Sequence, residues 1–175
     1  MGLMPPWTRS HGVPAQVRTQ LDLAPGERVL AGAADADGAW VVGTDRALHV
    51  GVGQPTRKLA WEQIDQASWH DETERLVIVE VADFGMPQPR HELAVRDPRR
   101  LLDLVRERVT ASVLLTRHVP VAGSRGLKVV ARRSPTRQGE ILWSTWLGDG
   151  LDPADPEVRR AVDEGLAAAR AELGQ

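Results

Sequence analysis

The sequence predicts an α+β protein in which short strands followed by an amphipathic helix occur twice along the chain. Residues 39–52 place two apolar runs around a short polar connection, as a β-hairpin does. Helices are expected after Asp97 and after Asp155, because each of these residues precedes a proline and a run of apolar side chains at helical spacing. The chain should therefore contain a strand-rich first unit and a smaller second unit.

The first unit is expected to follow an N-terminal arm at residues 1–20, which packs loosely and contains one helical turn after Pro14. Order is expected to begin near Leu21. Seven short strands then alternate with turns: residues 27–34, the two arms of 39–52, and residues 57–61, 66–69, 75–81 and 90–95. The strand at 75–81 is apolar on both faces, so each of its sides is expected to be covered.

The central hairpin carries two predictions about burial. With residues 44–46 as its turn, the alternation of Leu48 and Val50 with His49 places the histidine on the outer face of its strand. Trp40 and Trp61 are expected in the core, since both lie in apolar strands of a chain with six Trp, one Phe and no Tyr.

The helix that follows the seventh strand should take Asp97 as its N-cap and Pro98 as its first residue. Its apolar stripe consists of Leu101, Leu102, Val105 and Val109. Such a stripe predicts docking through one side. The helix is expected to run to about Leu115, although residues 113–115 also fit the start of a strand.

Residues 116–175 are predicted to form a β-β-β-α unit that ends with the helix after Asp155. Trp143 and Trp146 should lie on opposite faces of its last strand. Since no Gly/Ser-rich or Pro-rich linker lies at residues 115–118, this unit is expected to pack on residues 21–115. Its three strands are expected at residues 118–121, 127–133 and 140–147.

Composition fits an ordinary soluble globule, with 42% hydrophobic residues, 26% charged residues and a net charge of -2. The chain has no cysteine, which excludes disulfides, thiolate metal sites and cysteine nucleophiles. Its start lacks a signal-peptide pattern, and no run approaches the roughly 20 apolar residues that cross a bilayer. The sequence therefore predicts a cytoplasmic protein without a transmembrane segment.

Three short segments resemble the turn and strand signatures of the bacterial pleckstrin-homology and GRAM group: GERVL at residues 26–30, TDRAL at 44–48 and WEQI at 61–64. The whole chain is also similar to an uncharacterised family of similar length from high-GC bacteria. The resemblance covers residues 21–115 and implies a pleckstrin-homology-like β-barrel of two near-orthogonal sheets, capped by a helix. Residues 116–175 would then be a C-terminal β-β-β-α extension of that barrel.

The resemblance also implies a binding scaffold without catalytic activity. The best-known eukaryotic members of the group hold phosphoinositides with basic residues between their first two strands. In this sequence the corresponding loop, residues 33–38, carries Asp35 and Asp37 instead of cations. Phosphoinositide binding is therefore not expected there.

No motif of a catalytic or metal site occurs in the sequence. The histidines show neither H-x-H nor H-E-x-x-H spacing: His11, His49, His70, His91 and His118. The segment AGSRG at residues 122–126 could cradle an anion with Arg125, but a hairpin turn is favoured because no helix follows it. We therefore expect a protein that is not an enzyme and uses no metal or cofactor.

An acid-free window spans residues 108–139 and contains seven basic side chains. Its candidate anion-binding or partner-binding residues are Arg117, Arg125, Lys128, Arg132, Arg133 and Arg137. One interpretation places Lys128 and Arg132 on one strand face, as a basic stripe for phosphates or an anionic surface. The other, which we favour, pairs the basic residues internally with the acidic terminal helix, through Asp163, Glu164 and their neighbours.

These observations predict a non-enzymatic binding or protein-interaction module. A protein partner or self-association is expected, and nucleic acid is not. The alternative is a nucleic-acid or anionic-surface binder that uses residues 108–139.

Overall fold

A computed structural model describes residues 12–123 and 125–175, so residues 1–11 of the predicted arm, with His11, and Ser124 of the AGSRG turn lie outside the described residues. The helices are α1 (Ala15–Arg18), α2 (Arg99–Ser112) and α3 (Pro156–Glu172). The strands are β1 (Val29–Ala34), β2 (Trp40–Thr44), β3 (Ala47–Val52), β4 (Arg57–Ala60), β5 (Ile64–His70), β6 (Arg75–Glu80), β7 (Arg90–Leu93), β8 (Val113–Ala122), β9 (Arg125–Arg132) and β10 (Leu142–Leu147).

The strands form three antiparallel sheets with the orders β1-β2-β3-β4, β5-β6-β7 and β10-β9-β8. The α+β class is therefore confirmed. Within residues 12–123 and 125–175 no sheet closes into a barrel, because the 3-10 turn Trp61–Gln63 separates β4 from β5 and β5 pairs with β6 instead. Among α1, α2 and α3, the helices of the described residues, none combines the length and the apolar character of a membrane-spanning helix.

The predicted hairpin is confirmed, and Thr44 holds its turn. The Thr44 hydroxyl oxygen accepts hydrogen bonds from the backbone N–H groups of Arg46 at 3.1 Å and Ala47 at 2.9 Å. Trp61 donates its indole N–H to the Thr44 carbonyl oxygen at 3.1 Å. A side chain 17 positions away thus fixes the end of β2 against the core.

The main core lies between the first two sheets and one face of α2. Trp61 is fully buried in it, as predicted. Gly43 on β2 allows α2 to come close, since a Cβ there would lie 2.6 Å from a methyl group of Leu104. The other buried members of this core are Ala31, Ala33, Val41, Leu48, Val50, Leu59, Ile64, Leu76, Ile78, Val95, Leu101 and Val105.

A second cluster covers the opposite face of the first sheet, where Val13 and Leu21 of the N-terminal segment pack with Val42 and Val52. Trp40 lies only half-buried at this cluster, so its predicted place in the main core is wrong. Alternation along β2 explains this, because Trp40 and Val42 point away from the side that Val41 and Gly43 present to α2. The expectation of a loosely packed arm is also wrong for Val13, which is 4% exposed.

The start of α2 differs from the prediction. Asp97 has a positive φ of 43° and does not cap the helix; Pro98 occupies the N-cap position, without a side-chain hydrogen bond. The helix ends at Ser112, whose hydroxyl donates to the Val109 carbonyl oxygen at 2.7 Å. Val113 then begins β8, which confirms the strand alternative for residues 113–115.

The third sheet packs against α3. Asp155 caps α3 as predicted, since its carboxylate accepts from the Glu157 backbone N–H at 2.8 Å and Pro156 follows it. Gly165 lets the helix approach the strands, because a Cβ there would lie 2.8 Å from a methyl group of Val119 and 3.3 Å from one of Val129. Helix and sheet together bury a third apolar cluster.

Candidate functional site

A buried ion pair joins the second sheet to the third. The Arg132 guanidinium, on β9, donates to the Asp65 carboxylate at 3.1 Å and to the Asp65 carbonyl oxygen at 2.9 Å. The side chains of Arg132 and Asp65 are only 6% and 3% exposed. Ser112 accepts a further bond from the same guanidinium at 3.3 Å, and the Trp146 indole N–H donates to the same Asp65 oxygen at 3.1 Å.

Burial raises the pKa of Asp65, and the Arg132 cation opposes only part of that effect. The pair therefore combines a large desolvation cost with several charge-assisted hydrogen bonds, an arrangement that depends strongly on both partners being present.

The register of the third sheet shows where the predicted basic stripe points. Lys128, Val130 and Arg132 share one face of β9, and their partners on β10 are Trp146, Ser144 and Leu142 in that order. The opposite face holds Leu127 and Val129, which pack in the cluster with α3. Because Arg132 reaches Asp65, the stripe faces the first unit at this end and is not a continuous solvent-exposed surface.

The end of the third sheet near the β8–β9 turn opens into a cleft of about 520 Å³, which residues from both faces of the sheet line. The Lys128 ammonium lies over the Trp146 ring, 5.4 Å from its centroid. Arg125, which alternation along β9 places on the same face as Leu127, also lines the cleft and donates to the Gly150 carbonyl oxygen at 3.2 Å. The residues that line the cleft are His118, Val119, Pro120, Gly123, Arg125, Gly126, Leu127, Lys128, Trp146, Leu147 and Gly148.

A second groove, of about 170 Å³, adjoins the cleft through their common wall, Trp146 and Leu147. Its other wall is the loop at residues 82–88, which follows β6. This loop exposes Phe84 by 36% and Met86 by 63%. Apolar side chains are thus presented to solvent where the two units meet.

The six candidate residues of the basic window do not form one site. Arg125 and Lys128 line the cleft, Arg132 is buried with Asp65, and Arg117 pairs with Glu172 at 3.2 Å. Arg133 donates its backbone N–H to the Ser112 carbonyl oxygen, and Arg137 is exposed. Arg117 and Arg132 are therefore both paired within the chain, and of the two only Arg117 pairs with the terminal helix α3.

The acidic partners named from the sequence are different in the structure. Glu164 lies 3.8 Å from Arg160 within α3, instead of pairing with the basic window. Arg132 finds its carboxylate on β5, 67 positions away, because the two units are packed together there.

Sequence reasoning missed Trp146, His118, Phe84 and Met86 as members of a surface site. The placement of the two tryptophans on opposite faces of β10 was correct: Trp143 packs in the α3 cluster with Arg170 5.6 Å from its ring centroid, and Trp146 faces Lys128. That alternation was the available signal, since it leaves Trp146 on the side away from α3.

A separate polar cluster lies under the N-terminal segment. The Glu27 carboxylate accepts from the Thr44 hydroxyl at 2.6 Å, from the Lys58 ammonium at 2.9 Å and from the Ala24 N–H at 2.9 Å. Burial raises the pKa of Glu27, but these hydrogen bonds outweigh burial and lower it to about 2. His49 lies 3.4 Å from the same carboxylate, and burial lowers its pKa.

His49 is 1% exposed, so its predicted exposure on the outer strand face is wrong. Its side chain does point to the strand face opposite to that of Leu48, but the segment around Glu27 covers that face.

A third cluster joins Glu80 to Arg57 and His91. The hydrogen bonds from these two residues lower the pKa of Glu80 against the effect of burial. Within the described ranges, no group of three or more His, Asp or Glu side chains is arranged to hold a metal ion.

No family model, curated protein or solved structure matches this chain. The resemblance to pleckstrin-homology and GRAM domains therefore stays a prediction, and the candidate site depends on geometry alone.

Proposed function

We propose that this chain is a non-enzymatic, cytoplasmic protein-interaction module with a pleckstrin-homology-like arrangement of residues 21–115. The element order supports the resemblance: a four-stranded sheet and a three-stranded sheet enclose one core with the helix α2 that follows them. The packing of residues 116–175 on this unit is supported by the buried Asp65–Arg132 pair.

The observation that carries the interaction role is the exposure of Phe84 and Met86 beside the groove of β10. Aromatic residues and methionine are enriched in protein interfaces, and an apolar pair beside a groove gives a partner both an anchor and a pocket. We therefore place the partner, a protein with an apolar side chain at its contact, on the 82–88 loop and β10.

The proposal is tested by capture from native cytoplasm with three tagged proteins: wild type, the double variant Phe84→Ser/Met86→Ser, and the control Leu114→Ser. Leu114 is 37% exposed, about as much as Phe84, but lies on β8. We expect a specific partner that the double variant loses and the control retains. Equal capture by all three proteins, or no capture by wild type, would contradict the proposal.

Self-association is measured on the same proteins by light scattering after gel filtration. A wild-type dimer that becomes a monomer in the double variant would identify a second copy as the partner. A monomer in every protein would assign the loop to a different protein.

The nucleic-acid or anionic-surface alternative loses two of its candidate cations to internal pairs, those of Arg117 and Arg132. Submicromolar, salt-sensitive binding to duplex DNA at about 150 mM salt would favour that alternative. At the β1–β2 loop, the Asp35 carboxylate accepts from the backbone N–H groups of Asp37 and Ala39. This supports the view that the loop is a self-bonded turn instead of a phosphoinositide site.

A further inference from the structure

The third sheet has a free edge at β10. The strand order β10-β9-β8 leaves one side of β10 without a neighbouring strand among the described residues. Charged residues, prolines and bulges usually protect such an edge from pairing with another chain. Residues 142–147 contain neither a charge nor a proline, and their register with β9 is regular. The edge of β10 is therefore unprotected.

The other edge strands of the described residues each carry at least one such protection. Arginine occurs in β4, β7 and β8, and β5 contains Asp65. The register of β1 with β2 is irregular after Val29, and the carbonyl oxygen of Ala34 in β1 accepts from the Arg96 N–H. In this part of the chain, β10 is therefore the edge strand most open to the addition of another strand.

The hydrogen-bond ladder shows which backbone groups of β10 face outward. The Gly148 N–H, directly after the strand, donates to the Gly126 carbonyl oxygen at 2.8 Å. In an antiparallel ladder every second residue bonds to the neighbouring strand, so the bonds to β9 come from the even-numbered residues of β10. The N–H and C=O groups of Trp143, Thr145 and Leu147 therefore point away from β9. None of the described residues bonds to these outward groups.

The groove of about 170 Å³ lies beside this free edge. Residues 144–147 line it consecutively and none of the described residues of β9 does, so the groove is on the side of β10 away from β9. The 82–88 loop forms the other wall and exposes Phe84 and Met86. Because side chains alternate along a strand, a strand added at this edge would direct every second side chain towards the loop. Among the described residues that line the groove, Asp83 alone is charged.

We propose that an extended segment of a partner protein binds by pairing with β10 as an additional strand. Its backbone satisfies the outward N–H and C=O groups, and apolar side chains at alternate positions contact Phe84 and Met86. Asp83 disfavours an acidic residue in the segment. A stable dimer buries roughly 1,200 to 2,000 Å², whereas an edge of six residues and a small groove suit one segment better than a second copy. The inference rests on the protein-interaction role proposed above and specifies how the partner binds.

The test selects peptides from a random library displayed on phage, with the immobilised full chain as the target. Binding of the selected peptides, made synthetically, is then measured on wild type, Thr145→Pro and Thr145→Val. Proline removes only an outward N–H at this position, and its ring obstructs an added strand. Valine keeps both the N–H and the shape of the side chain. We expect affinity at least about tenfold weaker in Thr145→Pro and unchanged in Thr145→Val.

Amide exchange followed by NMR tests strand pairing on the wild-type chain itself. In the free protein the Thr145 N–H should exchange rapidly, and the Trp146 N–H, which bonds to β9, slowly. A selected peptide should slow the exchange at Thr145. Slow exchange at Thr145 in the free protein would show that the edge is already covered, and would overturn the inference.

The remaining outcomes separate this inference from the interaction role. No selected peptide, or equal affinity for wild type and Thr145→Pro, would overturn strand pairing. Peptides that bind Thr145→Pro normally but not Phe84→Ser/Met86→Ser would leave the interaction role standing without strand pairing. Peptides that Thr145→Pro loses and the double variant retains would support strand pairing and contradict the placement on Phe84 and Met86. A wild-type dimer that only Thr145→Pro dissociates would identify a second copy, instead of a different protein, as the occupant and overturn the proposal.

Discussion

The buried pair of Arg132 and Asp65 gives the sharpest prediction about stability. Arg132→Met keeps an unbranched side chain of similar length but removes the guanidinium, which donates three hydrogen bonds: to the Asp65 carboxylate, to the Asp65 carbonyl oxygen and to Ser112. The Asp65 carboxylate then stays buried without its cation. Removing one member of a buried pair costs roughly 3 to 5 kcal/mol, and we expect this loss in the free energy of unfolding.

A double-mutant cycle separates the interaction from the loss of packing. Asp65→Asn removes the negative charge and leaves Arg132 buried as an unpaired cation, so this change should also destabilise the fold. The double variant should cost about 2 kcal/mol less than the sum of the single changes, since it leaves neither ion unpaired. Urea denaturation followed by circular dichroism measures each free energy.

Arg117→Met is the matched control, because it removes an arginine from an ion pair whose side chains are 43% and 52% exposed. An exposed pair of this kind is worth about 0 to 1 kcal/mol. Two results would contradict this expectation: Arg132→Met destabilising the fold no more than Arg117→Met, or simple additivity of the changes at Arg132 and Asp65.

Three further predictions concern acid stability, the tryptophans and the junction. Folding lowers the pKa of Glu27 from 4.5 to about 2, so its carboxylate contributes about 3 kcal/mol to the free energy of unfolding above pH 4.5. This contribution should be lost as the pH falls towards 2. In Glu27→Gln the free energy of unfolding, measured by denaturation, should depend less on pH over that range. The lowered pKa of His49 acts in the same direction below pH 6.5, since its protonated form is disfavoured in the fold. Trp61→Ala should cost roughly 3 to 5 kcal/mol and half-buried Trp40→Ala clearly less, as measured by urea denaturation; equal losses would contradict the two-cluster packing. Limited proteolysis should spare the chain near Thr116, and rapid release of a stable fragment of residues 1–115 would show that the units fold independently.

Much of the fold could be predicted because the signals for strands and helices are local. The hairpin, the single turn after Pro14, the Asp155 cap and the three strands of the second unit depend on residues within a few positions of one another. The cap predicted at Asp97 failed even though its sequence matches that at Asp155. Local pattern alone does not decide which of two identical cap signals is used, because the preceding chain must also reach the helix in a suitable conformation.

Burial and the pairing of charges could not be predicted in the same way. Alternation correctly put His49 on the face opposite to Leu48, but only the tertiary structure covers that face with Glu27 and the N-terminal segment. In the same way, its acidic side chains made the terminal helix the predicted partner of the basic window, whereas Arg132 pairs with Asp65.

Backbone propensity and side-chain periodicity act over a few residues, so the element types and the two strand-and-helix units could be predicted from the sequence. Only the packing of distant segments sets which cations are buried, which line the cleft with Lys128, and that Phe84 and Met86 stay exposed beside it. The solvation of a side chain depends on the segment that covers it. Packing between Asp65 and Arg132 sets that cover across 67 positions of sequence.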